Sequence, residues 1–424
     1  MMKTLFKNCK ILVRDNGVYR VLDNAVLGVD GAVIDYIGAE MPDGAYDAVK
    51  DYAGKLLMPG LYNCHTHSPM VLLRGIGNDK PLHTWLNEYI FPIERTLTAT
   101  QIKTASALAI MEMLASGTVS FTDMYFFSEQ TAEAVFESGI KANLTKQIQF
   151  ANEKSKVLNE SLAFVKEWNG KANDRVHADF SVHSCYTCDF DTVVKYSTLC
   201  RENGGRMHLH LSETQKEFDD CLRQSGMTPT QWFLKAGALG KKTTAAHCVV
   251  LTEEDRAILA ETGANVAHCP TSNLKLGSGF APIPELLEKG VNVTLGTDGA
   301  ASNNNLNLFE EMHLAAIVHN GRLKDTTLMD TDTVIDMATV NGAKAQGREN
   351  CGELKVGFKA DLIALDINKP HFWGNAANKS LITYSAQGSD VFMTMVDGKI
   401  LYENGEYLTL DKEKILYETN ELLH

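Results

Sequence analysis

Hydrophobic residues along this chain form short clusters whose spacing changes twice. Residues 1–56 alternate short β-rich segments with Gly, Asn and Asp turns, which is typical of a small antiparallel unit. From Met58 to residue 347, apolar strands alternate with helical stretches, and the strand before His65 brings the number of β/α units to eight. Eight such units close a parallel barrel, so the pattern predicts a (β/α)8 TIM-type barrel.

The predicted elements follow from this alternation of short apolar runs with longer amphipathic ones. The barrel strands after the first are predicted at Val119–Met124, Lys141–Ile148, Ala178–His183, Arg206–Leu211, Thr243–Cys248, Asn265–His268 and Val291–Gly296. Helices are predicted at Ala99–Ala115, Ser128–Glu137, Ser155–Trp168, Phe190–Arg201, Glu253–Glu261 and Ile283–Lys289.

After Gly347 the β-rich pattern returns. Val391–Val396 and Lys399–Tyr402 flank an Asp-Gly pair, which is a strong hairpin signal. The simplest packing joins the two ends of the chain in one β-sandwich. We therefore predict a sandwich from residues 1–57 and 348–410, a barrel over 58–347, and a closing helix over 411–424.

Composition narrows the partners. The chain has 424 residues, 44% of them hydrophobic and 22% charged, as in ordinary globular enzymes. Its formal net charge is −13 and no Lys/Arg cluster offsets it, which argues against nucleic acid or an anionic membrane as partner but not against a neutral nucleoside. Nine cysteines without an export signal indicate reduced thiols and a cytoplasmic location.

Polar side chains stand at five predicted strand ends, where barrel enzymes carry their active residues. The first strand ends in His65-x-His67, and alternate residues of a strand share one face, so both imidazoles can reach one metal ion. The other four ends carry His210 with Glu213, then His247, His268 and Asp298.

Within the fifth strand, His208 and His210 share a face, so either could bind a metal. His210 lies nearer the strand end and precedes Glu213 by three residues, so we assign it as the ligand and give His208 a structural role. With the first-strand pair and Asp298, it makes a catalytic zinc-type set of three histidines and a carboxylate. Asp298 could accept a proton from the attacking water and Glu213 could carry it to the substrate, while His247 could polarise the leaving side or orient the water.

These motifs identify a family resemblance that extends over nearly the whole chain. Residues 57–67, His210-x-x-Glu213, His247 and the segment 297–304 resemble the amidohydrolase superfamily. Within it, the sequence looks like the 5′-methylthioadenosine/S-adenosylhomocysteine deaminases. The narrower likeness rests on Leu73-Arg74-Gly75, Trp85-Leu86, Phe91-Pro92-Ile93-Glu94, Ser272-Asn273-Leu274-Lys275-Leu276-Gly277 and the Asp298 motif.

The resemblance implies a role for each matching residue. It implies metal ligands at His65, His67, His210 and Asp298, substrate contacts at Glu94, His183, Glu213 and Asp298, and a catalytic role for Glu213, His247 and Asp298. In this family, Glu94 would bind the ribose hydroxyls and Glu213 the purine ring nitrogen. Trp85 could wall the pocket or simply belong to the core.

Two departures from the family refine the expectation. The fourth strand has no lysine that could be carboxylated to bridge two metals, so we expect one divalent ion, with zinc the default and iron or manganese as alternatives. Members that take S-adenosylhomocysteine tend to carry arginine after the third strand, where this chain offers Lys146, Lys154 and Lys156. A neutral 5′ substituent is therefore expected.

The predicted function is hydrolytic deamination of an adenosine-type nucleoside to the inosine analogue and ammonia. The substrate would be 5′-methylthioadenosine, S-adenosylhomocysteine, 5′-deoxyadenosine or adenosine, and the family resemblance makes a homo-oligomer expected. One alternative is a deaminase or chlorohydrolase of a free purine, pterin or triazine, and a second is a catalytically inactive barrel that serves as a scaffold.

Overall fold

Two β-sheets organise the protein, whose computed structural model describes residues 2–149, 156–374 and 379–423. Before the barrel lie β1 (Lys3–Asp15), β2 (Val18–Asp30), β3 (Val33–Gly38), β4 (Ala48–Asp51) and β5 (Lys55–Pro59). The barrel strands are β6 (Leu61–Thr66), β7 (Thr118–Tyr125), β8 (Lys141–Ile148), β9 (Val176–Val182), β10 (Met207–Leu211), β11 (Thr243–His247), β12 (Asn265–His268) and β13 (Val293–Leu295). After it lie β14 (Leu362–Asp366), β15 (Val391–Val396), β16 (Lys399–Glu403) and β17 (Glu406–Tyr407).

The helices lie mostly between barrel strands. The first two, α1 (Leu82–Thr84) and α2 (Phe91–Glu94), flank the π-helix Trp85–Ile90. They are followed by α3 (Ala99–Ala115), α4 (Ser128–Ser138), α5 (Lys156–Trp168), α6 (Lys171–Asp174), α7 (Phe190–Glu202), α8 (Gln215–Ser225), α9 (Pro229–Lys235), α10 (Glu253–Thr262), α11 (Pro270–Lys275) and α12 (Ile283–Glu288). The last are α13 (Ala300–Asn303), α14 (Leu308–Leu323), α15 (Thr331–Ala338), α16 (Val340–Ala345), α17 (Ser380–Tyr384) and α18 (Lys412–Leu423), and 3-10 turns lie at Ser68–Leu73, Pro370–Phe372 and Gly388–Asp390.

The barrel is an eight-stranded parallel sheet in the order β6 to β13. Asn63 joins the first and last strands of the barrel through its side chain. Its Nδ2 atom donates to the Thr297 hydroxyl (2.7 Å), and its Oδ1 atom accepts from the Thr297 backbone N–H (3.1 Å). The N–H of Asp298 also donates to the carbonyl of His65 (2.9 Å). These bonds nearly close the barrel and place Asp298 beside the histidine pair.

The two ends of the chain form one nine-stranded mixed sheet in the order β17-β16-β15-β14-β5-β1-β2-β3, with β4 beside β1. The segments from the two ends of the chain are also joined by a hydrogen bond, in which the Ala360 N–H donates to the Ala32 carbonyl (2.9 Å). Phe6 and Leu27 from one end and Leu362 and Met393 from the other share a buried core. The predicted fold class, a (β/α)8 TIM-type barrel with a small β-sandwich built from both chain ends, is confirmed, and the part predicted as a sandwich is this mixed sheet.

The stretch from residue 57 to 67 is divided between the two sheets. β5 pairs with β14 as far as Pro59, two residues beyond the division predicted at residue 57, and β6 begins after Gly60. The predicted start of the fifth helix at Ser155 lies outside the described residues. In the described part of the chain, no helix is both long and apolar enough to cross a membrane.

Helix starts follow local side-chain chemistry. Thr98 and Gln101 form a reciprocal capping box at α3, and Thr252 and Asp255 do the same at α10. Such caps satisfy backbone N–H groups that have no partner within the helix. They fix where each helix leaves its βα loop, and these loops, at the carboxyl ends of the strands, carry the site.

Candidate metal and substrate site

Four side chains converge at the carboxyl end of the barrel. The Nε2 atoms of His65 and His67 lie 3.4 and 3.3 Å from Oδ1 of Asp298. The Nε2 atom of His210 lies 3.3 Å from that of His67. All four residues are buried, with exposed fractions of 8% or less. The structure therefore brings the four predicted ligands together.

The outer ring nitrogens of these histidines are held by neighbouring groups. Nδ1 of His67 donates to the Met124 carbonyl (2.6 Å), and Nδ1 of His210 donates to the His183 carbonyl (2.7 Å). Nδ1 of His65 lies 2.8 Å from Nε2 of His208, which fits the structural role given to His208. Protonation of Nδ1 leaves Nε2 with a lone pair for a metal, and such contacts fix ring orientation.

The donor set fits a divalent metal ion. Nε2 of His65 is buried and has no hydrogen-bond partner among the described residues, whereas most buried ring nitrogens have one, and a metal ion here would supply the missing contact. Burial lowers the pKa of His65 to about 4 and that of His210 well below its ordinary value, so both are neutral at pH 7. Neutral imidazole is the form that binds a metal.

Asp298 is anchored on its other side. Its Oδ2 atom accepts from the hydroxyls of Ser272 and Ser302, both at 2.7 Å, and Oδ1 accepts from the Gly299 N–H (2.8 Å). Burial alone would raise the pKa of Asp298, but contact with His65 and the neighbouring imidazoles holds it well below the ordinary value. The carboxylate is therefore ionised and aimed at the histidines.

The backbone is unusual at the strand ends that carry the site. Ser212, His247, Cys248 and Asp298 have φ between 48° and 72°, in the left-handed region that non-glycine residues rarely adopt. Residues held there mark sites where the surrounding structure overrides local preference. A Cβ atom at Gly296 would lie 2.9 Å from the backbone nitrogen of His65, so this close approach between the first and last strands requires glycine.

Glu213 and His247 flank the cluster. Desolvation raises the pKa of the Glu213 carboxyl group. The backbone N–H of Glu213 donates to Oε2 of Glu217 on α8 (2.7 Å). Nδ1 of His247 donates to Oδ1 of Asn273 (2.9 Å), and a nitrogen of His247 lies within 4.8 Å of those of His65 and His210. Burial would lower the pKa of His247, but the Glu213 and Asp298 charges raise it.

A cavity opens over this centre. Every predicted site residue except His65, which lies beneath, lines it: Trp85, Glu94, His183, His67, His210, Glu213, His247 and Asp298. Desolvation raises the pKa of Glu94, and the nearby Tyr125 hydroxyl opposes that rise. Trp85 donates its indole N–H to the Ile76 carbonyl (3.0 Å), so it offers the cavity only its ring.

Comparison with known proteins agrees with this geometry. The amidohydrolase family pattern matches residues 56–401. The chain belongs to the amidohydrolase family. A 5-methylthioadenosine/S-adenosylhomocysteine deaminase of Acetivibrio thermocellus is 42% identical to this amidohydrolase over 426 residues, 99% of each chain. A 5′-deoxyadenosine deaminase of Methanosarcina mazei is 42% identical over 421 residues, 99% of this chain and 97% of that protein.

Among solved structures, an adenosine deaminase from Xanthomonas campestris with bound zinc superposes on this amidohydrolase with a TM-score of 0.93. It is 29% identical, and the alignment covers 99% of this chain and 97% of that one. The predicted family resemblance is confirmed.

Sequence reasoning missed several residues of this amidohydrolase's site. Gln147 and Gln149, at the end of β8, line the cavity, and their alternate spacing was the available signal. Tyr125 also lines it. Asp123 accepts from the Thr66 hydroxyl (3.0 Å) and fixes the turn that carries His67, a role that no local motif indicates.

A second and more apolar cavity adjoins the first. The two share Phe91, Glu94, Gln147 and Gln149. Lys146 lines the second cavity and is paired with Glu129 (2.6 Å), whereas Lys154 lies outside the described residues. Arg95 also lines it, from the segment that follows α2 rather than from the one after the third barrel strand.

Proposed function

We propose that this amidohydrolase deaminates adenosine-type nucleosides by hydrolysis at C6, giving the inosine analogue and ammonia. The observation that carries the proposal is the presence of two half-buried carboxyl groups, Glu94 and Glu213, in the cavity of the histidine–aspartate cluster. Relatives that are 42% identical over nearly the whole chain bear deaminase names for such nucleosides.

The proposed cofactor is one divalent ion, with zinc the default and iron or manganese as alternatives. His65, His67, His210 and Asp298 would hold it. When bound, such an ion supplies Lewis-acid activation of the attacking water. A single ion is proposed because β9 contains no lysine that could bridge a second one.

The proton steps fall to residues that surround the cluster. Desolvation raises the pKa of Glu213, which favours the protonated form and suits this residue to donate a proton to the purine ring nitrogen. Asp298, kept ionised by its neighbours, accepts a proton from the attacking water. His247 donates through Nδ1 to Asn273, which fixes its ring so that Nε2 can orient the water.

Substrate binding is assigned to the wall of the cavity. Glu94 accepts from both ribose hydroxyls, because a carboxylate offers two oxygens to a vicinal diol in a charge-assisted contact. His183 contacts the substrate beside the ligand His210, and Trp85 provides an apolar wall. The adjoining apolar cavity would receive the 5′ substituent. Cytoplasmic location and a homo-oligomer stay predictions.

Two other functions remain in competition. A deaminase or chlorohydrolase of a free purine, pterin or triazine would use the same metal centre, but such substrates give Glu94 no diol to bind. An inactive scaffold is disfavoured because the four ligand atoms converge and Nε2 of His65 has no other partner among the described residues.

The proposal is tested with metal-loaded protein and a panel of substrates. Ammonia release and the shift in purine absorbance would be followed for adenosine, its 5′-substituted analogues, adenine, guanine, a pterin and a triazine. Faster turnover of the nucleosides is expected, whereas turnover of a free base or triazine alone would contradict the proposal.

A further inference from the structure

Glu311 is a buried carboxyl group that has no part in the chemistry described above. It lies on α14, which follows the Asp298 loop, and its exposed fraction is 0%. An ionisable side chain is rarely placed in a core without a specific partner, because burial costs it the hydration of its polar atoms. Its contacts therefore show what it does.

The two oxygens of Glu311 bind two different loops. Oε2 accepts from the backbone N–H of Thr271 (3.1 Å), in the loop after β12. Oε1 accepts from the side-chain amide of Asn303 (2.7 Å), in the loop after β13. Asn303 also donates to the Thr297 carbonyl (2.8 Å), so the second contact extends to the residue before Asp298.

The residues next to these two contacts hold Asp298. Ser272, which follows Thr271, and Ser302, which precedes Asn303, each donate a hydroxyl to Oδ2 of Asp298 at 2.7 Å. Each oxygen of Glu311 thus binds a residue that is the direct neighbour in sequence of one of the two serine donors.

We infer that Glu311 is a positioning residue that clamps the loops after β12 and β13 together, so that both serines bind one oxygen of Asp298 and leave the other facing the histidines. The inference rests on the proposed function in that Asp298 is taken as a metal ligand. Groups that orient a ligand from behind are typically worth 10- to 100-fold in metal affinity or activity.

Glu311→Gln is a mild test of this clamp. Burial raises the pKa of Glu311 to about 8, whereas its two N–H donors oppose that rise and favour the ionised form, in which both oxygens accept. Gln has nearly the same shape, but it presents one oxygen and one NH2 group to two donors. One of the two loops therefore loses its contact while the core stays filled.

Asp255→Asn is the matched control. Asp255 is also fully buried and also holds two segments, through the Thr228 hydroxyl (2.5 Å) and the Thr252 N–H (2.9 Å). It does not line the cavity. Its variant measures what losing a buried carboxylate contact does to folding alone.

The experiment measures zinc affinity by chelator competition, thermal stability, and kcat and KM for adenosine. For Glu311→Gln we expect zinc affinity and kcat to fall about tenfold or more, with KM nearly unchanged. Asp255→Asn, at a similar loss of thermal stability, should keep both. The double variant Glu311→Gln/Ser302→Ala should lose less zinc affinity than the sum of the two single losses. Both changes act on the same hydrogen bond, from the Ser302 hydroxyl to Asp298.

Equal zinc affinity and kcat in Glu311→Gln and the parent, or equal losses in the Asp255→Asn control, would overturn the inference. If Glu311→Gln does not fold, Asn303→Ala removes one contact of the same clamp and is judged by the same measurements. Zinc affinity is read without substrate, so the inference fails separately from the proposed nucleoside activity.

Discussion

Glu94→Ala is expected to abolish the preference of this enzyme for nucleosides that carry a ribose diol. Glu94 ends α2 and lines both cavities, so its carboxylate stands between the space for the base and the space for the 5′ group. That is the position expected for a residue that binds ribose.

The magnitude follows from the kind of contact. A hydrogen bond to a charged partner is worth roughly 1.5–3 kcal/mol, and about 1.4 kcal/mol corresponds to a tenfold change. Losing the Glu94 contact should therefore lower kcat/KM for adenosine by about 10- to 100-fold. The loss for 2′,3′-dideoxyadenosine should be small, because that substrate has no hydroxyl to donate.

The assay compares kcat/KM for adenosine and 2′,3′-dideoxyadenosine in the parent, Glu94→Ala and a control, Glu88→Ala. Glu88 lies on the preceding π-helix, is exposed and does not line the cavity, so its removal should change neither substrate. Zinc content should be the same in all three proteins. An equal loss on both substrates would refute the assignment and leave Glu94 a structural role.

Three further predictions test other parts of the site. Glu213→Gln should keep its zinc but lose about 100-fold or more in kcat, the usual worth of a positioned acid; a zinc-loaded variant with parental turnover would rule out the proton transfer. Burial raises the pKa of Glu217 from 4.5 to about 7, so this carboxyl group binds its proton more tightly in the folded protein than in the unfolded chain. Its contribution should therefore lower the unfolding free energy of the parent by about 3 kcal/mol between pH 4.5 and 7. Glu217→Gln should remove that loss, and a constant stability difference between parent and variant at pH 5 and pH 8 would contradict it. Because Lys146 is paired with Glu129, kcat/KM for S-adenosylhomocysteine should not exceed that for 5′-methylthioadenosine; a higher value would contradict this, and Arg95→Ala would then test the guanidinium in the same cavity.

The barrel and the convergence of the four proposed ligands could be predicted because both follow from short local patterns in the sequence. His65 and His67 share a face through the period of a strand, and His210 and Asp298 stand directly at strand ends. In the structure, the nitrogen or oxygen atom that each of these four side chains offers lies within 3.4 Å of that of another member of the set.

Contacts between distant segments could not be predicted in this way. Asn63 joins the first and last barrel strands, and Glu311 binds two loops that lie 40 and 8 residues before it. Neither residue belongs to a local motif, because its partners are set by how the barrel closes. The 16-residue helix α14 was not predicted either, because its buried face contains the polar residues Glu311 and His319 while the apolar Ile317 is exposed, which weakens the hydrophobic pattern.

The most direct test of the account is a zinc titration of metal-free protein, with ammonia release from 5′-methylthioadenosine as the readout. The converging donor set of His65, His67, His210 and Asp298 describes one site. Activity should therefore rise linearly and reach its plateau at about one zinc per chain, as a mononuclear catalytic site requires. A plateau at two zinc ions per chain, or no ammonia release at any zinc concentration, would contradict the account.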